Sequence, residues 1–192
     1  HSQDVAQNHI ATLIGWSLAR LSPSARSALE FASLLMPDEI PLAWLQALTQ
    51  ARHPTALAQG ANAPAPWPAV WQALHGLRLL HPVGDPEFDA RGIAQMPTTV
   101  RLHRLVASHV AAANNGAAQC FAELDQFLEA LGRQFEQQVD QGEDAALKAQ
   151  HPWLRDQLSH LIDSTAPPPT PSLLRQAAVA ANFEGRHGSL VR

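Results

Sequence analysis

The chain has 192 residues, a formal net charge of −4 and a hydrophobic fraction of 46%. This length suits one large or two small domains with a buried core. Since aromatic residues make up only 6% and tyrosine is absent, Ala, Leu and Val must supply most of the core, which favours helices over sheets. The excess negative charge lies in residues 114–192, because residues 1–113 carry seven acidic and seven basic residues. This balance gives no general electrostatic reason to bind nucleic acid.

Several classes of site are excluded by residue type and spacing. The single lysine, Lys148, follows Leu147, so the chain contains no Gly-Lys-Ser/Thr loop that would cradle a nucleotide phosphate. The ten histidines show none of the i, i+3 or i, i+4 pairs that two-histidine metal sites on helices use. Cys120 is the only cysteine, and we expect a buried, unreactive thiol. We therefore predict no catalytic residue, no metal site and no enzymatic activity in this chain.

No signal peptide and no apolar run long enough to cross a bilayer is present. We expect a cytoplasmic protein without membrane contact. Because the chain begins with His1 rather than Met, we also expect it to be part of a longer protein.

The first predicted elements are helices. Apolar residues at helical spacing predict a lead-in helix within residues 1–20. Ser22 then suits an N-cap and Pro23 the first helical position, followed by an apolar stripe that we expect to end at Pro37. Ile40 precedes a proline, which favours an extended backbone, and Pro41 opens a short helix.

A loop is predicted over residues 51–66, where no hydrophobic period exists. Pro68 should open a third helix that carries an apolar face. Two strands are predicted at residues 78–83 and 98–102, joined by a turn over residues 84–97, and a helix follows from His103. Three helices, a two-stranded wing and a closing helix predict a winged-helix domain over residues 21–113, to which Ile40 adds a short third strand.

The second half is predicted to be helical. Long apolar stripes indicate helices at residues 117–140 and 144–163, which form a helical hairpin linker over residues 114–163. Four prolines make residues 164–171 a stiff linker, and residues 172–192 read as the start of a helical repeat. The predicted fold is therefore mainly α, with a winged-helix domain and a small β-wing, followed by helical hairpins of tetratricopeptide-like type.

Three stretches resemble the winged helix of the STAND signalling ATPases, the NB-ARC class: residues 22–42, 71–80 and 100–106. In that family a helix, an Asp-x-Ile-Pro turn and a second helix lead to a wing that ends in a Leu-His-Arg-Leu-Val-like segment. The turn is matched by the four residues that begin at Asp38, and the segment by the five that begin at Leu102. The resemblance extends over residues 12–113.

The resemblance implies a role for His103. It aligns with the histidine of the family's MHD motif, which contacts the β-phosphate of bound ADP and holds the inactive state. Leu102 stands where the motif has Met, and Arg104 stands where it has Asp. On this basis His103 and Arg104 are the candidate nucleotide-sensing residues of the full-length protein. The alternative for His103 is a partly buried histidine that starts a helix.

The second half resembles the helices that join such modules to tetratricopeptide repeats in bacterial members of the family. The matching stretches begin at Pro152 and Leu174. The resemblance thus implies a non-catalytic regulatory fragment that binds no cofactor itself. ADP and ATP would be held by an upstream nucleotide-binding domain, and the repeat array would bind protein partners.

Two other functions fit the predicted fold. A winged helix can belong to a DNA-binding transcriptional regulator, but the third helix ends in one arginine and the wing carries three acidic residues against Arg91 alone. Phosphate contacts need several Lys or Arg side chains, so the charges argue against nucleic acid. A plain protein-interaction module without a nucleotide link is the third possibility.

Overall fold

The computed structural model describes residues 12–55, 66–141, 151–164 and 170. The chain is mainly helical with one small antiparallel sheet, which confirms the predicted class at this level. It divides into two compact units, residues 1–117 and residues 118–192. The predicted repeat start at residues 172–192 and nearly all of the proline-rich linker lie outside the described residues.

The helices of the described residues are α1 (residues 12–19), α2 (Pro23–Ala32), α3 (Leu42–Arg52), α4 (Pro66–Gly76), α5 (Arg104–Ala113), α6 (Ala117–Asp140) and α7 (Leu154–Ser164). The strands are β1 (Ile40–Pro41), β2 (Leu80–Pro82) and β3 (Thr99–Leu102). Of the helix predicted over residues 144–163, the described part begins at residue 151, and α7 begins two residues after Pro152.

The start of α2 is as predicted, but its end is not. The Ser22 hydroxyl accepts a hydrogen bond from the Ala25 amide at 3.2 Å, with Pro23 in the first position. The helix ends at Ala32 rather than at Pro37. Leu35 then donates to the Ala32 carbonyl at 3.3 Å and stays 1% exposed. This bond spans three residues and forms a tighter turn than the α-helix does. The turn still brings Leu35 to the core side, so the apolar stripe continues past the end of α2.

The sheet has the strand order β1-β3-β2, with both pairs antiparallel. Ile40 pairs with Val100, and Leu80 pairs with Leu102; all four side chains are buried. The predicted extended conformation at Ile40 is therefore confirmed, and β1 is the short third strand.

Two helix starts differ from the predicted positions by one or two residues. The N-cap of α3 is Pro41, so the helix begins at Leu42, and α4 begins at Pro66 rather than at Pro68. The second difference has a simple cause. Both prolines of α4 lie in its first turn, where backbone N–H groups have no helical partner, so either can occupy the start.

The core of the first unit is centred on α2, which packs against α3, α4 and α5. Side chains from all four helices and the sheet are almost completely buried. The largest of these are Leu29, Phe31, Leu35, Ile40, Leu45, Trp67, Leu74, Leu80 and Leu102. Six of these nine residues are leucines, as the low aromatic content predicts.

The connection from α4 to β2 requires a left-handed residue. Leu79 donates to the Leu74 carbonyl at 3.0 Å, and Arg78 donates to the His75 carbonyl at 2.9 Å. These two bonds form a Schellman cap, which places Arg78 at the left-handed position with φ = 56°. Leu74 and Leu79 are both buried, as the hydrophobic contact of this cap requires.

The second unit is built on the apolar faces of α6 and α7. The buried side chains of α6 are Cys120, Phe121, Leu124, Leu128 and Phe135, which confirms the buried thiol. Ahead of α7, the ring of His151 lies 4.9 Å from that of Phe135 and 5.1 Å from that of Trp153. His151 thus joins α6 to the start of α7.

Candidate functional site

His103 lies at the junction of β3 and α5. Val100 and Leu102 are buried, whereas Arg101 and His103 are exposed, as the alternation of a strand requires. The Leu102 amide donates to the Pro37 carbonyl at 2.7 Å. This bond holds the end of β3 beside the turn that precedes β1, so His103 leaves the sheet from a rigid backbone.

The ring of His103 caps α5. Its Nδ1 accepts a hydrogen bond from the Leu105 amide at 3.2 Å, and the residue itself is extended with φ = −63° and ψ = 131°. Because Nδ1 acts as an acceptor, the N–H of the ring lies on Nε2. The ring is exposed, so this Nε2–H can donate to a group outside the unit. His103 starts a helix, as expected, but it is not partly buried.

Arg104 is paired with a residue that sequence reasoning did not connect to it. Its guanidinium donates to the Asp38 carboxylate at 2.9 Å, and the two side chains are 78% and 64% exposed. The pair depends on the Leu102–Pro37 backbone bond, which brings the two segments together. No spacing pattern could predict it, because Asp38 and Arg104 are 66 positions apart.

The α5 surface, defined by Asp38, His103, Arg104 and Leu105, combines several kinds of group. Leu105 contributes an apolar side chain that is 53% exposed. His103 contributes an N–H donor, and the ion pair contributes charge of both signs. Such a surface suits the docking of another polypeptide domain, since an apolar anchor is combined with directional polar contacts.

The turn over residues 84–97, the predicted wing, has an ordered tip. The Asp89 carboxylate accepts from the amides of Arg91 and Ile93, at 2.8 Å each, and Phe88 and Ala94 form a β-bridge. Gly92 takes the left-handed conformation, φ = 73°, that the turn requires. The tip presents Asp85 and Glu87 to solvent.

A Ser–His pair that sequence reasoning missed joins α2 to the end of α3. Ser27 Oγ lies 2.9 Å from His53 Nε2, a distance at which a histidine can activate a serine nucleophile. Ser27 is only 7% exposed, and no described carboxylate is bonded to the His53 ring. The pair therefore links α2 to the end of α3 inside the first unit.

Polar contacts beside this pair strengthen the same junction. Arg52 forms an ion pair with Glu30 at 3.1 Å, and its guanidinium lies 4.2 Å above the ring of Phe31. Glu30 and Phe31 are adjacent on α2, and Arg52 is the last residue of α3. The sequence gives no other signal that these residues are in contact.

Within the described ranges, no group of three or more His, Cys, Asp or Glu side chains is arranged to hold a metal ion. No helix in the same ranges has the length and apolar character needed to cross a membrane. Comparison of the chain with protein-family profiles, with curated proteins and with solved structures found no match.

Proposed function

We propose that this chain is a non-catalytic regulatory module of a STAND-type signalling ATPase. In this proposal a P-loop domain outside the chain binds ADP or ATP, and the first unit docks on it in the inactive state. The second unit transmits the nucleotide state to a helical array that binds protein partners. The observation that carries the proposal is that the ring of His103 caps α5 and is exposed to solvent.

The topology of the first unit supports a winged-helix interpretation. The element order α2-β1-α3-α4-β2-wing-β3, with β3 between the other two strands, is the order that winged helices use. The Asp-x-Ile-Pro turn supplies β1, and the Leu-His-Arg segment begins with the last residue of β3. We take the contact of both stretches with the small sheet as support for the proposal.

The geometry of His103 suits the detection of a phosphate. Its outward Nε2–H can donate to a phosphate oxygen of a docked domain, and the cap keeps the ring from turning away. A hydrogen bond to a charged group contributes about 1.5–3 kcal/mol. That is a bias of about 10- to 150-fold between two states, which is enough to hold a switch mainly closed.

The charge of the wing and of α4 favours this proposal over a DNA-binding regulator. The exposed side of α4 offers His75, and Arg78 follows the end of the helix, while the wing presents Asp85 and Glu87. A phosphate backbone would meet more negative than positive charge at the wing. In a mobility-shift assay at low and moderate salt we expect no sequence-specific complex; a salt-resistant, sequence-specific complex supports the regulator instead.

The first test is the reading frame upstream of the codon for His1. A P-loop motif there supports the proposal, and its absence from the full reading frame overturns it. The chain alone should show no micromolar binding of ATP or ADP in calorimetry, because it lacks the P-loop.

The second test separates the sensing role of His103 from its capping role. His103→Ala removes both the cap and the donor, whereas His103→Asp keeps a capping acceptor and places a negative charge where the phosphate would lie. In the protein that includes the P-loop domain, both variants should release ADP faster than the wild type. In the chain alone, His103→Asp should be at least as stable as the wild type, and His103→Ala should lose about 1 kcal/mol or less. Unchanged ADP release in both variants overturns the sensing role.

A further inference from the structure

A cleft of about 70 Å³ opens in the first unit, where the end of α1, the middle of α2 and the end of α5 meet. Its apolar lining consists of Leu18, Leu29 and Val110. Leu29 and Val110 are 0% and 4% exposed, so the bottom of the cleft belongs to the core. Small-molecule sites typically combine such an apolar lining with a few polar groups that orient the ligand.

The size of the cleft limits the apolar part of a ligand. A cavity of about 150 Å³ accepts benzene, which has six carbon atoms. The cleft offers about half of that volume. An aliphatic group of about three or four carbon atoms, such as an isopropyl group, therefore fits, whereas an aromatic ring would protrude into solvent.

Arg26 supplies a positive charge to the cleft. Its Nη2 group donates to the Leu18 carbonyl at 2.9 Å, which fixes the guanidinium beside the end of α1. The other N–H groups of this guanidinium have no acceptor within the described ranges. A guanidinium with such N–H groups binds a carboxylate through charge-assisted hydrogen bonds.

Glu30 and the end of α5 supply negative charge to the same cleft. The Glu30 carboxylate accepts from Arg52 at 3.1 Å, but Arg52 does not line the cleft. Ala113 is the last residue of α5, and its carbonyl accepts no hydrogen bond within the described ranges. The last carbonyls of a helix carry partial negative charge and suit a cationic donor. Asn114, the cap of α5, completes the lining.

We propose that this cleft binds a free α-amino acid with a short, branched aliphatic side chain. The aliphatic group fills the apolar lining, the carboxylate binds the Arg26 guanidinium, and the ammonium group faces Glu30 and the Ala113 carbonyl. Arg26 and Glu30 lie four residues apart, on neighbouring positions of one face of α2. They do not pair with each other, since Arg26 donates to Leu18 and Glu30 accepts from Arg52. This inference does not depend on the nucleotide-sensing role of His103.

The test is a titration of the isotope-labelled 192-residue chain with L-valine, followed by the chemical shifts of the backbone amides. A ligand of this size should bind with a Kd of about 1 mM, so the titration extends to about 20 mM. The amides that shift should belong to the end of α1, to α2 and to the end of α5. L-Phenylalanine should bind about fivefold more weakly or less, because its ring exceeds the cleft.

Two analogues of L-valine test the two charges separately. N-Acetyl-L-valine lacks the ammonium group, and L-valinamide lacks the carboxylate. Each should bind about fivefold more weakly than L-valine or less, because one charged contact with the cleft is lost.

Two substitutions test the same contacts from the side of the protein. Arg26→Gln should weaken the binding of L-valine about tenfold and leave that of L-valinamide unchanged. Arg91→Gln, at an exposed arginine that does not line the cleft, is the matched control. Ala113→Leu should abolish binding because the larger side chain occupies the cleft. Ala112→Leu, at the exposed neighbouring position of α5, should bind as the wild type does.

Four outcomes overturn the proposal. L-Valine that shifts no amide up to about 20 mM excludes the site, and shifts confined to amides outside these three helices exclude its location. Equal affinities for L-valine and N-acetyl-L-valine show that the ammonium group is not recognised. Unchanged binding of L-valine to Arg26→Gln shows the same for the carboxylate. The analogues and the exposed Arg26 keep the test decisive even where Ala113→Leu alters the fold.

Discussion

Arg104 donates to the Asp38 carboxylate at 2.9 Å, although the two residues are 66 positions apart in the chain. The pair ties the first turn of α5, directly after His103, to the turn that precedes β1. Arg104 is one of the two residues that depart from the motif that this segment resembles, and its charge is met by a carboxylate from another segment. The backbone beside His103 is thus held by the Leu102–Pro37 bond and by this ion pair.

The Arg104–Asp38 pair should contribute little to stability, because both side chains are largely exposed. A double-mutant cycle with Asp38→Asn and Arg104→Gln should give a coupling free energy below about 1 kcal/mol. The coupling should shrink further in 1 M salt. Urea unfolding of the four proteins measures it. A coupling of about 3 kcal/mol would show that the pair is shielded from solvent.

The Ser27–His53 contact should matter more, because it is partly buried. Ser27→Ala should lower the free energy of unfolding by about 1 kcal/mol. Ser24→Ala provides the control, since Ser24 is on the same helix and equally buried but has no side-chain hydrogen bond within the described residues. That control should be neutral or slightly stabilising, because alanine has the higher helix propensity. Equal effects of the two substitutions in urea unfolding would rule out a contribution from the bond.

The left-handed backbone of Arg78, φ = 56°, should destabilise the folded state. Arg78→Gly should raise the free energy of unfolding by about 1 kcal/mol, because glycine has no Cβ to clash in this conformation. Arg78→Ala removes the same charge without relieving the backbone and should be neutral or destabilising. Thermal unfolding of the two variants compares them. A Gly variant that is no more stable than the Ala variant would contradict this explanation.

The second unit should become less stable as the pH falls below neutrality. Burial lowers the pKa of His151 and of His160 below the ordinary value of 6.5, and for His160 the Asp163 carboxylate partly offsets that effect. The unfolded chain then takes up protons at a higher pH than the folded unit does. Its free energy of unfolding should therefore fall as the pH drops through about 6.5 and level off below the lowered pKa values.

Amide hydrogen exchange in α6 and α7, corrected for the intrinsic pH dependence, measures this effect between pH 7.5 and pH 5.5. His151→Leu should reduce the pH dependence of the free energy of unfolding in part. The substitution removes the ring that lies between Phe135 and Trp153 and that takes up a proton on unfolding. Adding His160→Gln should remove most of what remains. An undiminished pH dependence in the double variant would assign it to other groups.

Signals that act over a few residues were readable in the sequence. Ser22 and Pro23 start α2 because a hydroxyl acceptor and a missing N–H suit a helix start in any fold. Ile40 is extended because a proline follows it. The position of His103 at the start of α5 followed from the change of a strand pattern into a helical pattern, whereas its choice as the candidate residue came from the family resemblance.

Contacts between distant segments were decided by the tertiary structure. The Ser27–His53 pair exists because α2 and α3 cross near the end of α3, and the Asp38–Arg104 pair exists because β3 lies beside the turn before β1. The left-handed Arg78 follows from the need to turn from α4 into β2, although Gly76 lies two residues earlier. The conformational preference of a single residue changes the free energy of folding by only about 1 kcal/mol at such a position. The burial of Leu74 and Leu79, on either side of the turn, therefore decided the conformation of Arg78.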